Sequence, residues 1–248
     1  MITNIWGFCL LYARRTIKIP MIPIFLFIFP IVILVAILLK QQGTLDTHTY
    51  EAVAHQLIGG LSIVCILVVT IVNVPIVIVN AKMTSLFKRL KFSKVTQKEY
   101  FLALYISNLL FALVAEIFLL VESIFIFDVS FSANQLIGII LPFLLVYTFY
   151  FIFGVAIAGF CNNLEQNQVV ILPIYFGLLL LSGSFIPFDS LPSNIANYLV
   201  DFNPFYLFTQ VLNSAHAKMN YFTDIRTYII IVIAFVCILL IRRQYRRG

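Results

Sequence analysis

Two carboxylates, Glu116 and Glu122, stand inside long apolar runs. A carboxylate in hydrocarbon costs several kcal/mol unless it is protonated, paired or wet, and such groups face a bundle interior or a cavity. Glu116 falls about 16 residues into its run, roughly 24 Å from the run's basic end. It reads either as a lining residue that meets a solute and tunes hydration, or as a neutral acid bonded to a tyrosine, serine or backbone group of a neighbouring helix. Glu122 lies nearer the far interface. Asn73 stands two residues before Pro75, and Asn108 about two turns into the next run. Interhelical hydrogen bonds explain both asparagines, and a place on a pathway is the alternative.

A second chemical signal is a break. Ser182-Gly183-Ser184-Phe185-Ile186-Pro187-Phe188-Asp189-Ser190-Leu191-Pro192, followed by Asp201-Phe202-Asn203-Pro204-Phe205, interrupts helix at membrane depth. Helix breakers are tolerated there only where protein or a water-filled cavity satisfies the freed backbone groups, which points to a pathway through a transporter. Enzymatic signals are missing. No glycine is followed by lysine, so the chain has no phosphate-binding loop and no ATPase site of its own. His48, His55 and His216 are isolated, and no His-Glu-x-x-His or Gly-x-Ser-x-Gly occurs. Cys9, Cys65, Cys161 and Cys237 form no Cys-x-x-Cys pair and read as small buried apolar side chains. The sequence offers no catalytic residue, metal ligand or cofactor site.

The elements that hold these residues must be helices in lipid. The chain is 62% hydrophobic and 10% charged, with a mean hydropathy of +1.05. No soluble domain of 248 residues covers that much apolar surface. Six apolar runs stand out: about Ile19–Leu39, Leu57–Val79, Phe101–Phe127, Leu136–Phe160, Val169–Phe185 and Tyr228–Ile241. With roughly 20 residues needed per crossing, the sequence predicts an all-α integral membrane protein with six transmembrane helices. It forms one domain over residues 1–248, with helices one to four across 19–160 and helices five and six across 169–241.

Charge orients it. Arg14, Arg15 and Lys18 precede the first run. Lys82, Lys88, Arg89, Lys91, Lys94 and Lys98 fill the second connection, and Arg242, Arg243, Arg246 and Arg247 follow the last run. Asp46, Glu51, Asp128, Asp189, Asp201 and Asp224 mark the opposite connections. The positive-inside rule then places both termini in the cytoplasm, and a bacterial plasma membrane is the expected location. The net charge of +6 is this topology signal together with attraction to anionic lipid heads. Nucleic-acid binding would need a folded basic surface with stacking aromatics and is not indicated. Residues 1–18, with Trp6 and Tyr12 as belt residues, read as a helix lying at the interface. The outer connections are short, about Lys40–Gln56 and Asp128–Gln135.

In the basic connection, Thr84 or Ser85 suits a helix cap. Leu86, Phe87 and Leu90 then share one face, with Lys88 and Lys91 on another. Such a helix lies flat on lipid heads or presses an apolar knob into a partner. Gly154 and Ala158, with Gly159, form a small-residue strip for close helix approach.

Together these features resemble the membrane (permease) subunit of a type-2 ABC exporter, over nearly the whole chain. Ser182-Gly183-Ser184-Phe185-Ile186-Pro187 with Leu191-Pro192 and Asn203-Pro204 is similar to that family's Ser-Gly-x-x-x-Pro … Leu-Pro … Asn-Pro pattern. Gly154 to Gly159, then Asn162, Asn163 and Glu165, resemble its fourth span and following loop. Phe87-Lys88-Arg89-Leu90 fits its basic helix, whereas Lys94-Val95-Thr96 lacks the usual proline. Lys82-Met83-Thr84-Ser85 stands where an acid-Arg-Glu-x-Gly run is usual. The resemblance implies an interfacial amino-terminal helix and a re-entrant helical hairpin over about 187–213, between helices five and six. Ser182, Gly183, Pro187, Pro192, Asn203 and Pro204 would shape the hairpin's gate. It further implies a coupling helix, Thr84 with Leu86, Phe87, Lys88, Arg89, Leu90 and Lys91, docking on a separate nucleotide-binding subunit that holds ATP and Mg. A second permease copy, identical or a sister chain, would complete the pathway. Asn73, Asn108 and Glu116 are candidate lining residues. The cargo implied is a hydrophobic or amphipathic peptide or drug; a lipid-linked glycan, or a non-transporting sensor or immunity role, is the alternative.

Overall fold

The computed structural model describes residues 2–41, 46–90, 92, 96–184, 192, 200 and 203–216. These form α1 (Ile2–Lys18), α2 (Met21–Pro23), a π turn (Ile24–Ile28), α3 (Phe29–Gln41), α4 (Thr47–Leu67), a second π turn (Val68–Asn73) and α5 (Val74–Met83). Then come α6 (Leu86–Leu90), α7 (Gln97–Phe127), α8 (Ala133–Phe160), α9 (Leu164–Leu181) and α10 (Pro204–His216). No strand occurs among the described residues. Five helical stretches are long and apolar enough to cross a membrane: Ile24–Gln41, His48–Met83, Gln97–Phe127, Ala133–Phe160 and Leu164–Leu181. The expected sixth span, Tyr228–Ile241, lies outside the described residues, as does most of the expected hairpin, Pro187 included.

Both π turns have one cause. Each ends two residues before a proline, Pro30 or Pro75. Proline has no N–H, and its ring displaces the carbonyl four residues back. Those carbonyls belong to Leu26 and Ile71, inside the widened turns, so the helix absorbs the misfit without breaking.

The α4–α5 rod is the hub. Its residues from Leu61 to Val69 are all buried, and α7, α8, α9 and α10 pack around it. The connection before it is shorter than the expected Lys40–Gln56, because α4 begins at Thr47 behind Asp46. Thr49 Oγ1 donates to Asp46 Oδ1 at 2.5 Å, holding that carboxyl below its ordinary range. Polar residues such as His48, Glu51 and Gln56 extend the helix beyond its apolar window.

Local caps fix the other ends. Thr96 and Glu99 close a reciprocal box at the start of α7, with Glu99 N donating to Thr96 Oγ1 (3.3 Å) and Thr96 N to Glu99 Oε2 (2.7 Å). Ser132 and Gln135 repeat the device on α8. Asn163 Oδ1 accepts from Gln166 N (2.7 Å) and starts α9 five residues before the expected Val169. That helix stops at Leu181 rather than Phe185, because Gly183 takes a left-handed backbone (φ 70°).

Close packing shows where space is smallest. A Cβ on Gly154 would strike the backbone of Thr70 in the second π turn, so α8 crosses the hub at contact distance. One turn on, Lys82 Nζ donates to the carbonyl of Ala158 (2.5 Å) and approaches those of Gly159 and Cys161 (3.4 Å each). A cation thereby caps the C-terminal end of α8. Cys9, Cys65 and Cys161 are buried free thiols; Cys237 lies outside the described residues.

Candidate functional site

Three neighbourhoods collect the residues singled out in the sequence. The first is the elbow at α6. Thr84 Oγ1 donates to Asn80 O at 2.8 Å, four residues back, so it completes α5 instead of capping α6. A hydroxyl just past a helix end reaches back to the last-turn carbonyl that its own N–H also meets (Thr84 N to Asn80 O, 3.0 Å). Ser85 (φ 52°) then turns the chain. Leu90 is buried, and Leu86 and Phe87 are half-buried. The Phe87 ring packs on Tyr100 (5.3 Å, edge-on) and Phe101 (6.2 Å, stacked), and Tyr100 in turn meets Tyr12 of α1 (5.5 Å). The apolar face of α6 therefore anchors the elbow to α7 and, through Tyr100, to α1. Arg89 is exposed. The exposed apolar groups beside the elbow are Met83 and Phe92, the latter 92% exposed; the amphipathic pattern alone puts the apolar knob on Leu86, Phe87 and Leu90. The side chain of Lys88 and all of Lys91 lie outside the described residues.

The second neighbourhood is a buried polar relay. Asn73 Nδ2 donates to Thr16 Oγ1 (3.1 Å) and Asn108 Oδ1 (2.7 Å), and Asn108 Nδ2 donates to Leu104 O (2.8 Å). It ties α1, the second π turn and α7 together at one point. The asparagines are bonded to each other, as their isolation among apolar residues suggested; Thr16 carried no sequence signal.

The third is the break together with α10. Ser182 Oγ donates to Leu179 O (2.7 Å) and lies 2.9 Å from Ser184 Oγ. Asn203 Nδ2 donates to Leu181 O (2.5 Å), while its Oδ1 accepts from Phe205 N (3.0 Å). One side chain thus finishes α9 and starts α10, where Pro204 takes the first helical position. Pro192 is exposed.

From there α10 runs antiparallel to α8. Phe205 meets Tyr150 and Phe153, Phe208 meets Phe149 (4.5 Å), and at the far end Gln135 Nε2 donates to His216 O (2.9 Å). Its 13 residues span about 20 Å, too short to cross a membrane core of about 30 Å. Gly59 of α4 admits it closely, for a Cβ there would strike Asn213.

At the end of α10 the isolated histidine of the sequence finds its partner. His216 Nε2 lies 3.2 Å from Glu116 Oε1, with His216 fully buried and Glu116 4% exposed. His216 Nδ1 sits 2.7 Å from Leu212 O. A carbonyl only accepts, so Nδ1 carries a proton. The Nε2–Oε1 contact is then either imidazolium to carboxylate or imidazole accepting from the acid, and in both forms the proton is shared between α10 and α7. Glu116 Oε2 has no partner among the described residues. Sequence reasoning missed His216 and Gln135 because the pair is 100 residues apart and only the packing of α10 joins it.

Among the described residues no three His, Cys, Asp or Glu side chains gather where a metal could sit. The described residues thus form an anchored elbow at α6, a short helix, α10, latched by a buried polar pair, and a tightly packed hub.

Several apolar helices of crossing length, packed around a central rod and interrupted by a capped break, define a multi-pass helical membrane protein. Residues 1–215 match the family model of the ABC-2 type transporter. The chain belongs to that family and is a permease component of an ABC transporter. No curated protein and no solved structure matches the chain.

Proposed function

We propose that this chain is the permease subunit of an ATP-driven exporter that moves a hydrophobic or amphipathic solute outward. It works with a second permease copy and a separate ABC ATPase. The observation that carries this reading is the family match across residues 1–215, joined to a sequence with no phosphate-binding loop. Both termini and the α6 elbow face the cytoplasm, where the basic residues lie. Closure of the ATPase pair on ATP pushes on the elbow. Arg89 and Phe92 make the contact with the ATPase, and Phe87 and Leu90 transmit the push into α7 through Tyr100 and Phe101. The segment from Ser182 through α10 is the re-entrant gate on the far side, and solute leaves beneath it between the two copies.

Assembly tests this reading. Phe92→Ala with Arg89→Ala is expected to abolish co-purification of the ABC ATPase, or ATP-dependent export, at unchanged yield of folded permease. Wild-type assembly and export from that variant would remove the elbow from the mechanism. Co-purification of an ATPase without any flux would favour a sensor role.

A further inference from the structure

We propose that α1 and α7 form a discrete site for one anionic phospholipid, whose phosphate sits on Arg14 and Lys18 and one of whose acyl chains lies in the groove beside α1. The groove has a volume of about 420 Å³ and runs between α1, the start of the first span and α7. Its walls include Trp6, Leu10 and Ile17, Phe27, and Leu110 and Val114. Along α7 it extends from Ser107 to Val114, about 10 Å, which is most of one leaflet's hydrocarbon depth.

Two features select the occupant. The walls of the groove are almost wholly apolar, which suits an aliphatic chain and excludes a hydrated one. A second depression of about 580 Å³ shares Leu10 with the groove and is lined by Arg14, Arg15 and Lys18. Arg15 is turned away to the side-chain amide of Asn80, which accepts from both of its terminal nitrogens when the amide is flipped so that its oxygen faces them (2.8 and 2.6 Å). Arg14 and Lys18 are exposed one turn apart, and α1 contains no acidic residue. A phosphodiester beside an acyl chain is the one membrane component that matches both the cationic rim and the apolar trough. The groove is also held open. Cys9 Sγ donates to Ala103 O and Ser107 Oγ to Cys9 O (3.4 Å each), while Thr16 is fixed by Asn73. The site is lined by none of the α10 residues and does not depend on the export reading.

The test is native mass spectrometry of the full-length chain, delipidated in detergent and titrated with phosphatidylglycerol or phosphatidylcholine of identical acyl chains. One phosphatidylglycerol per chain is expected to bind at least about tenfold more tightly than phosphatidylcholine. Arg14→Ala with Lys18→Ala removes the preference; Leu110→Trp, which fills the trough, removes retention of the bound lipid. Arg246→Ala with Arg247→Ala, which deletes the same charge elsewhere, leaves both unchanged. Equal affinity for the two lipids overturns the proposal. So does an equal loss in the charge-matched control, which would mean diffuse counter-ion attraction, or wild-type binding by Leu110→Trp, which would mean headgroup adhesion without a groove. Should the arginine–lysine variant not fold, Leu110→Trp with the lipid comparison decides the matter alone.

Discussion

Removing His216 while keeping Glu116 leaves both carboxyl oxygens buried without a partner among the described residues, because Oε2 has none there even in the wild type. His216→Phe keeps an aromatic ring but a larger one, so the double-mutant cycle, rather than the single loss, isolates the polar term. An unsatisfied buried group costs about 1–3 kcal/mol, and more where charge is involved; about 2–3 kcal/mol is expected. Glu116→Leu strands only the imidazole and should cost about 1–2 kcal/mol. Removing both partners leaves an apolar contact, and the double variant should lose about 1 kcal/mol or less. The coupling in the double-mutant cycle is therefore about 2 kcal/mol or more. Glu116→Gln retains a hydrogen-bonding partner and should stay within about 1 kcal/mol of wild type. Thermal unfolding of the purified protein in mild detergent reads these values, at roughly 2–4 °C per kcal/mol for a chain of this length. A double variant whose loss equals the sum of the singles within about 0.5 kcal/mol would refute the latch.

Further outcomes rest on the packing. Gly154→Ala forces α8 off the second π turn and should lower stability by about 1–3 kcal/mol in the same assay, whereas alanine at Gly138, where an added Cβ would meet nothing within 4 Å, should not. Thr96→Ala removes one half of the box that opens α7 and should cost about 1 kcal/mol. Lys82→Met leaves the last carbonyls of α8 without their cation; roughly 0.5–1 kcal/mol should be lost, and hydrogen exchange should quicken near Ala158. Asp46→Asn removes a carboxylate whose proton affinity is depressed in the fold. Its contribution is present at neutral pH and lost as pH falls through the depressed value, so wild type and variant should converge in acid and differ at pH 7.

Much of the scaffold was legible because hydrophobicity dominates it. Five of the apolar runs end within four residues of a helix end, but each window undershoots at a polar terminus. Thr47–Gln56 and Asn80–Met83 are helical and carry too many polar residues for a hydropathy window to admit them. The signals that fix such ends, Thr96-x-x-Glu99, Ser132-x-x-Gln135 and Asn163-x-x-Gln166, are short-range and present in the sequence. The break at Ser182-Gly183 was readable for the same reason, since only glycine takes that backbone without strain. Pro75 announced a distortion, although not that a π turn would absorb it.

The site was less legible. Asn73 and Asn108 pair 35 residues apart, and Glu116 and His216 pair 100 residues apart; no local pattern encodes either. The sequence leaves open what covers α6, because an amphipathic helix states which face is apolar but not what lies on it. Tyr100 and Phe101, which cover it, belong to the next helix.

ATP-driven flux measures the central claim most directly. Proteoliposomes holding this chain and its co-purified ABC ATPase should move a fluorescent amphipathic peptide only with both subunits and hydrolysable ATP present. Flux or ATP hydrolysis by the chain alone, or no flux from the intact complex with any amphipathic probe, would contradict the account.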